Sequence, residues 1–212
     1  MEISEILLNL GDKSTAKVRS AAKKLRKYPS VKEACPVLLE AYKREIKKGS
    51  WETQTALIVT AGILECREFI PYLEDICQKN EAHDTITTNT GCSYVRIIRN
   101  SLSDVSSIFK YSHGINYSLG KGFLFALGLD KMVPKVEEQK ILISKFYNFG
   151  QDRDPLYSDP RYGLAAACAG WTSHNVEDFL QHCIKTGDRY LINVAESALK
   201  GEYVKKHLYG IY

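Results

Sequence analysis

The recurrence of apolar residues at helical spacing is the sequence feature that most constrains the fold of this chain. The first segment has apolar residues three and four positions apart, at Ile3, Ile6, Leu7 and Leu10. This spacing places the side chains on one face of an α-helix, and Gly11 follows as a helix-terminating glycine does. Comparable patterns run through most of the 212 residues, so the sequence predicts an all-α fold.

Neighbouring helical segments differ in how their apolar residues are distributed. A segment that is apolar on nearly all sides is followed, after a short turn, by an amphipathic one. This order occurs at residues 52–64 and 69–77, more weakly at 123–128 and 137–149, and again at 164–170 and 176–184. Neither member can hide its apolar surface alone, so each pair is expected to pack together and against its neighbours.

These pairs, returning roughly every 40 residues, resemble the HEAT and armadillo repeats. The resemblance implies an α-solenoid of antiparallel helix pairs with about nine to eleven helices, and residues 1–212 as a single α-helical repeat domain. It also implies that the chain acts by binding another macromolecule, with no catalytic residues of its own.

Some helix boundaries follow from local signals. Ser30 and Glu33 have the spacing of a capping box, which predicts a helix start, and Gly49 is placed to end that helix. Apolar residues at intervals of four and three predict a single helix over residues 94–109. Residues 85–88 are rich in β-branched side chains and are interpreted as a loop or an irregular helix start.

Composition and termini bear on the compartment. The chain is 44% hydrophobic and 25% charged, which favours a folded protein over a disordered one. No apolar run reaches the about 18 to 20 residues of a membrane span. Acidic residues Glu2 and Glu5 stand where a secretory signal needs a basic region, so a cytoplasmic location is expected.

The six cysteines lie in or beside apolar helical runs, at Cys35, Cys66, Cys77, Cys92, Cys168 and Cys183. No pair has the two-residue gap of a zinc knuckle, and no two histidines have the i, i+4 spacing of a helical zinc pair. The cysteines are therefore expected to be reduced and buried, with no metal or cofactor site.

Positive charge is concentrated near the N-terminus. Residues 13–32 contain eight Lys or Arg residues and no acid. This stretch is interpreted either as a solvated helix face or as a patch for an acidic partner or nucleic acid. Gly120 and Gly122 flank Lys121 in a pattern that lacks the Walker spacing, and that segment is interpreted as a loop between helices.

The candidate partner-binding residues come from the part of the chain with the longest predicted loops. Residues 151–162 combine acids, bases and aromatics around two prolines, so they could present side chains to a partner or form an ordinary connection. Tyrosine and tryptophan are also favoured at binding surfaces. The candidate set is Tyr111, His113, Tyr147, Asp152, Asp154, Tyr157, Asp159, Arg161, Tyr162 and Trp171.

Three functions fit these observations. In type and size the chain resembles immunity proteins of bacterial contact-dependent growth-inhibition (toxin–antitoxin) systems, which implies occlusion of a toxin's active site. It is also similar in size and basic character to helical-repeat DNA glycosylases of alkylation repair, which implies nucleic-acid binding through residues 13–32 and, in that case, catalysis by an Asp. A third interpretation is an adaptor subunit of a larger assembly.

Overall fold

The computed structural model describes residues 3–111, 113–152 and 158–204, and over these residues the fold is all-α, as predicted. The α-helices are α1 (Ile3–Leu10), α2 (Thr15–Leu25), α3 (Cys35–Lys48), α4 (Trp51–Leu64), α5 (Ile70–Lys79), α6 (Thr85–Ile98), α7 (Ser106–Lys110), α8 (Tyr117–Leu129), α9 (Val136–Phe146), α10 (Tyr162–Ala167), α11 (Val176–Thr186) and α12 (Arg189–Leu199). Short 3-10 turns occupy Lys32–Ala34, Arg67–Phe69 and Cys168–Gly170. No helix in these ranges has the length and apolarity needed to cross a bilayer.

The even-numbered helices form one continuous row. Helix α2 packs against α4, α4 against α6, α6 against α8, α8 against α10, and α10 against α12. Among the odd-numbered helices, α1, α3, α5 and α11 pack against α2, α4, α6 and α12 respectively. The apolar faces that the sequence pattern predicts are therefore buried between successive helices, and together they form one continuous core.

Polar contacts show that α2 and α4 run in the same direction. The Arg19 guanidinium lies 3.6 Å from the Glu52 carboxylate, and Arg26, seven residues further along, donates to the Thr60 hydroxyl at 3.2 Å. Residue numbers rise together along the two helices, as they do only in a parallel pair.

Helices α6 and α8 show the same arrangement one step further along the row. The backbone N–H of Asp84, the N-cap of α6, donates to the Ser118 hydroxyl at 2.8 Å, and Arg96 donates to Asp130 at 2.6 Å. Each of these two bonds joins residues 34 positions apart in the sequence, and so does the bond from Arg26 to Thr60. Other contacts between successive even-numbered helices join residues 30 positions apart, Arg26 and Ala56, and 38 positions apart, Thr60 and Ala22. These separations lie at or below the period of roughly 40 residues that the sequence predicted.

Glycines set how closely the even-numbered helices approach each other. A Cβ on Gly122 in α8 would lie 2.1 Å from the carbonyl oxygen of Thr88, and a Cβ on Gly163 in α10 would lie 2.1 Å from that of Leu124. Only glycine allows backbones to approach this closely. The prediction that Gly120–Gly122 forms a loop between helices is wrong, because the segment lies inside α8 at this contact.

Two predicted helix boundaries differ in the structure. The Ser30–Glu33 capping box does not form, because α3 begins at Cys35 with Pro36 in its first turn, a position that suits proline. Residues 94–109 do not form one helix, since Asp104 accepts the backbone N–H of Ser106 and starts α7 separately. This break raises the number of α-helices in the described residues to twelve, above the predicted range.

One boundary prediction is confirmed, and for residues 85–88 one of the two predicted alternatives is found. Gly49 ends α3 in the left-handed region at φ 70°, where a residue without Cβ is favoured. Residues 85–88 are a helix start, since α6 begins at Thr85 and the Asp84 carboxylate accepts the Thr87 N–H at 2.6 Å.

The cysteine prediction is wrong for two of the six residues. Cys35 at the start of α3 and Cys66 just after α4 form a disulfide, with Cα atoms 5.3 Å apart, because the packing of α3 on α4 brings these helix ends within bridging distance. The other four cysteines are free and buried, as expected.

Asp130 joins α8 to two arginines of α6. Its carboxylate accepts two hydrogen bonds from Arg96, at 2.6 and 2.8 Å, and a third from Arg99. Burial alone would raise the pKa of Asp130, but the hydrogen bonds and charges of Arg96 and Arg99 lower it below its ordinary value. The carboxylate therefore stabilises the fold while it is ionised.

Asp130→Asn is expected to lower the free energy of unfolding by roughly 3 kcal/mol at pH 7. Because the folded-state pKa is lowered, this stabilisation is present above the unfolded pKa of about 3.9 and is lost as pH falls below it. Urea denaturation at pH 7 and near pH 3 should therefore show the difference between wild type and variant shrinking at acid pH. Asp75→Asn, in an exposed pair with Lys79, is the control and should change little at either pH. A constant difference would contradict this account.

Candidate partner-binding groove

An open groove of about 600 Å³ crosses the row of even-numbered helices. We call it the central groove. Each even-numbered helix or its flanking residue contributes side chains, among them Arg19, Lys23, Arg26, Trp51, Glu52, Thr55, Lys121, Phe125, Tyr162 and Tyr190. Its volume lies within the range of about 300–1,000 Å³ typical of binding sites.

Three bases of the N-terminal cluster face the central groove. Arg19, Lys23 and Arg26 occupy positions i, i+4 and i+7 and so share one face of α2 and its C-cap. Glu52 on α4 lies 3.6 Å from Arg19 and is the one acid that lines the groove among the described residues. The groove therefore carries a net positive charge.

Arg26 is a half-buried cation held by neutral groups. Its Nε donates to the Thr60 hydroxyl and its Nη2 to the carbonyl oxygen of Ala56, both at 3.2 Å. Burial, with a contribution from the positive charge of Arg96, lowers the pKa of Arg26 to about 10. Within the described ranges, no carboxylate forms an ion pair with Arg26. Its charge is therefore desolvated without compensation from an acid.

Lys121 is the second cation set into the groove. Its Nζ donates to the Ser158 hydroxyl at 2.7 Å and lies 5.6 and 5.4 Å from the ring centroids of Tyr117 and Phe125. Burial lowers the pKa of Lys121, and the charge of Asp188 partly offsets this. The ammonium is thus fixed in place by a hydroxyl and two aromatic faces.

Two large aromatic side chains stand exposed at the groove. Trp51, the first residue of α4, is 54% exposed, and Tyr190, in the first turn of α12, is 64% exposed. Tyr162 lies deeper, and burial, with Asp188 and Tyr190 nearby, raises its pKa to about 12. The rings of Trp51 and Tyr190 are therefore available to a flat or apolar group in the groove.

Most of the predicted partner-binding residues lie elsewhere. Asp154 and Tyr157 fall outside the described residues. Asp159 and Arg161 are fully buried and form an ion pair at 2.6 Å, and Arg161 also donates to the carbonyl oxygen of Tyr147 at 3.3 Å. The structure thus places Asp159 and Arg161 in the interior instead of on the surface, where Arg161 contacts the backbone of the half-buried Tyr147.

The other predicted residues are separated from one another. Tyr162 lines the central groove. Trp171 is buried and donates its indole N–H to the carbonyl oxygen of Met132 at 2.8 Å. Tyr111 packs edge-on against Tyr94 with centroids 5.6 Å apart. The remaining two, His113 and Asp152, are exposed outside the groove.

Sequence reasoning missed Trp51, Lys121 and Tyr190 as site residues. They come from helices far apart in the chain and meet only when the even-numbered helices pack side by side. A signal was present on α2, where the bases at positions 19, 23 and 26 form a stripe at helical spacing. No comparable local pattern marks α8 or α12.

Chemically, the groove can pair cations with an anion and stack aromatic rings against a flat group. In the part of the chain that the structure describes, no cluster of three or more His, Cys, Asp or Glu side chains could hold a metal ion. Comparison of the chain with protein-family models, with curated proteins and with solved structures gives no match.

Proposed function

We propose that this protein is a non-catalytic α-solenoid, similar to HEAT and armadillo proteins, that holds an anionic macromolecule in the central groove. One observation carries the proposal: among the described residues, side chains from six helices along the chain line one groove, with four cations and a single carboxylate. The row of successive even-numbered helices, with contacts that join residues 30 to 39 positions apart, supports the solenoid.

For a protein partner, we propose an immunity protein that neutralises a bacterial toxin domain in the cytoplasm by occluding its active site. The charge of the groove then requires the toxin to place an acidic segment against Arg26 and Lys121. This is the reverse of the usual pairing of a basic nuclease with an acidic inhibitor.

The second candidate is a nucleic-acid-binding protein. The observation that favours it is the combination of cations and exposed aromatic rings in one groove. Phosphates pair with Lys and Arg, and bases stack on Trp and Tyr. The groove offers both kinds of contact.

Removing both exposed rings, in Trp51→Ala/Tyr190→Ala, is expected to weaken partner binding at least tenfold, because the rings contribute contact area at low entropic cost. Their exposure predicts little change in melting temperature. The tagged protein is used to capture its partner from native lysate, and the dissociation constant of the identified, purified partner is then measured by calorimetry.

Leu8→Ala/Leu102→Ala is the matched control, since both leucines are exposed and neither lines the groove. An equal loss in both variants, or none in the groove variant, would contradict the proposed function. A toxin domain whose activity is suppressed in the complex supports the first candidate, and a nucleic acid supports the second.

A further inference from the structure

We propose that the occupant of the central groove is a single-stranded nucleic acid, with phosphates bound by Arg26 and Lys121 and bases stacked on Trp51 and Tyr190. This inference rests on the proposed function of the groove and names the chemical class of its ligand. It is carried by the hydrogen-bonding capacity, the spacing and the aromatic surroundings of these side chains.

Arg26 has unused hydrogen-bond donors that suit a phosphate. A guanidinium carries five N–H donors, and Arg26 uses two of them on Thr60 and Ala56. The remaining donors belong to a half-buried cation that forms no ion pair within the described ranges. A phosphate supplies the missing negative charge and accepts two parallel hydrogen bonds from such a group.

Lys121 provides a second point of attachment, on a different helix of the row from Arg26. Its ammonium has three donors, of which one is used on Ser158. It lies on α8, three steps along the row from α2, so the two helix axes are roughly 20–30 Å apart at ordinary packing distances. Two separated cations in one groove fit a chain with successive phosphates better than a single small anion.

Acidic groups near the cations are already engaged. Glu52 lies against Arg19. Asp188, whose charge acts on Lys121, accepts backbone N–H groups from Asp159, Tyr190 and Leu191. Neither carboxylate forms an ion pair with Arg26 or Lys121 in the described structure. Arg26 has no acidic partner in the described structure, and Lys121, although the charge of Asp188 acts on it, uses only one of its three N–H donors there. Both cations can therefore still pair with an external anion.

The exposed rings favour a single strand over a duplex or an acidic peptide. Bases in a duplex stack on each other inside the helix, whereas single-stranded bases have free faces for Trp51 and Tyr190. The acidic side chains of a peptide can pair with the cations of the groove, but they have no flat aromatic group to stack on Trp51 and Tyr190.

Thr55 adds a buried hydroxyl to the wall of the groove. This hydroxyl has no hydrogen-bond partner in the described structure.

The test is fluorescence anisotropy with fluorescein-labelled single-stranded oligothymidine over a range of salt concentrations. Wild type is expected to bind it more tightly than the corresponding duplex. Arg26→Gln/Lys121→Gln should weaken binding at least tenfold and reduce the slope of log K against log salt by about 1.4, at roughly 0.7 per lost phosphate contact. Trp51→Ala/Tyr190→Ala should weaken binding with an unchanged slope.

Lys47→Gln/Lys145→Gln is the control, because it removes the same charge from exposed positions outside the groove. The inference is overturned if oligothymidine does not bind, if the duplex binds as tightly, or if the control loses as much affinity. Tighter binding of poly-glutamate than of oligothymidine overturns it too, while leaving the groove as the binding surface. Should the glutamine variant fail to fold, the aromatic variant still decides the question, since its altered residues are exposed.

Discussion

Gly163→Ala is expected to lower the free energy of unfolding by about 3 kcal/mol, a large loss for the addition of one methyl group. The new Cβ would lie 2.1 Å from the carbonyl oxygen of Leu124, 2.3 Å from its carbon and 2.6 Å from the amide nitrogen of Phe125. All three are backbone atoms of α8, so no side chain can rotate away. Helix α10 must move off α8, which weakens the packing of the row on both sides.

Urea denaturation followed by circular dichroism measures this loss. Gly49→Ala is the control, because Gly49 has φ +70° and no neighbouring atom within 4 Å of an added Cβ. It should cost about 1 kcal/mol through backbone strain alone. If Gly163→Ala is no more destabilising than this control, close approach of α8 and α10 does not stabilise the fold.

Arg161→Met is expected to lower the free energy of unfolding by about 3–5 kcal/mol, the range for breaking a buried ion pair. Arg161 and Asp159 are fully buried side by side, joined by bonds of 2.6 and 2.9 Å. Burial opposes the charge of Arg161, but the hydrogen bonds and charge of Asp159 raise its pKa overall. Methionine fills similar volume but leaves the Asp159 carboxylate buried without its counterion.

Asp159→Asn in the same chain should recover more than half of that loss, because the double variant buries no charge at either position. The side-chain oxygen of the asparagine can still accept the backbone N–H of residue 161, which the Asp159 carboxylate accepts in the wild type. A double-mutant cycle in urea measures the coupling. Lys43→Met, which breaks an exposed pair with Glu40, should change stability little. Equal destabilisation by the single and double variants would show that volume, not charge, determines the effect.

Much of the fold could be predicted from the sequence because apolar spacing and terminal glycines act locally. The end of α3 at Gly49 and the extent of α4 follow from such signals. The prediction from apolar spacing is wrong after α6. Ile98, Leu102 and Val105 continue the helical pattern there, although the backbone turns. The hydrogen bonds that Asp104 forms locally override the pattern there.

The candidate site was less predictable, for two physical reasons. Charged side chains are usually exposed, and Asp159 and Arg161 were each predicted to bind a partner at the surface. Their burial as an ion pair depends on contacts made only in the folded chain. The groove also forms only when the chain is folded, because Trp51, Lys121 and Tyr190 lie on three different helices that must first pack together. The bases on α2 and its C-cap recur at helical spacing in the sequence, so this part of the site could be predicted.

The Cys35–Cys66 crosslink makes the two ends of the molecule unequal in their resistance to disruption. It closes a loop of 31 residues around α3 and α4, which in the chain-entropy view stabilises that region by roughly 3–4 kcal/mol. Each helix of the row relies on its immediate neighbours. We therefore expect thermal unfolding to begin in helices far from this crosslink, such as α12, and α3 and α4 to stay associated longest.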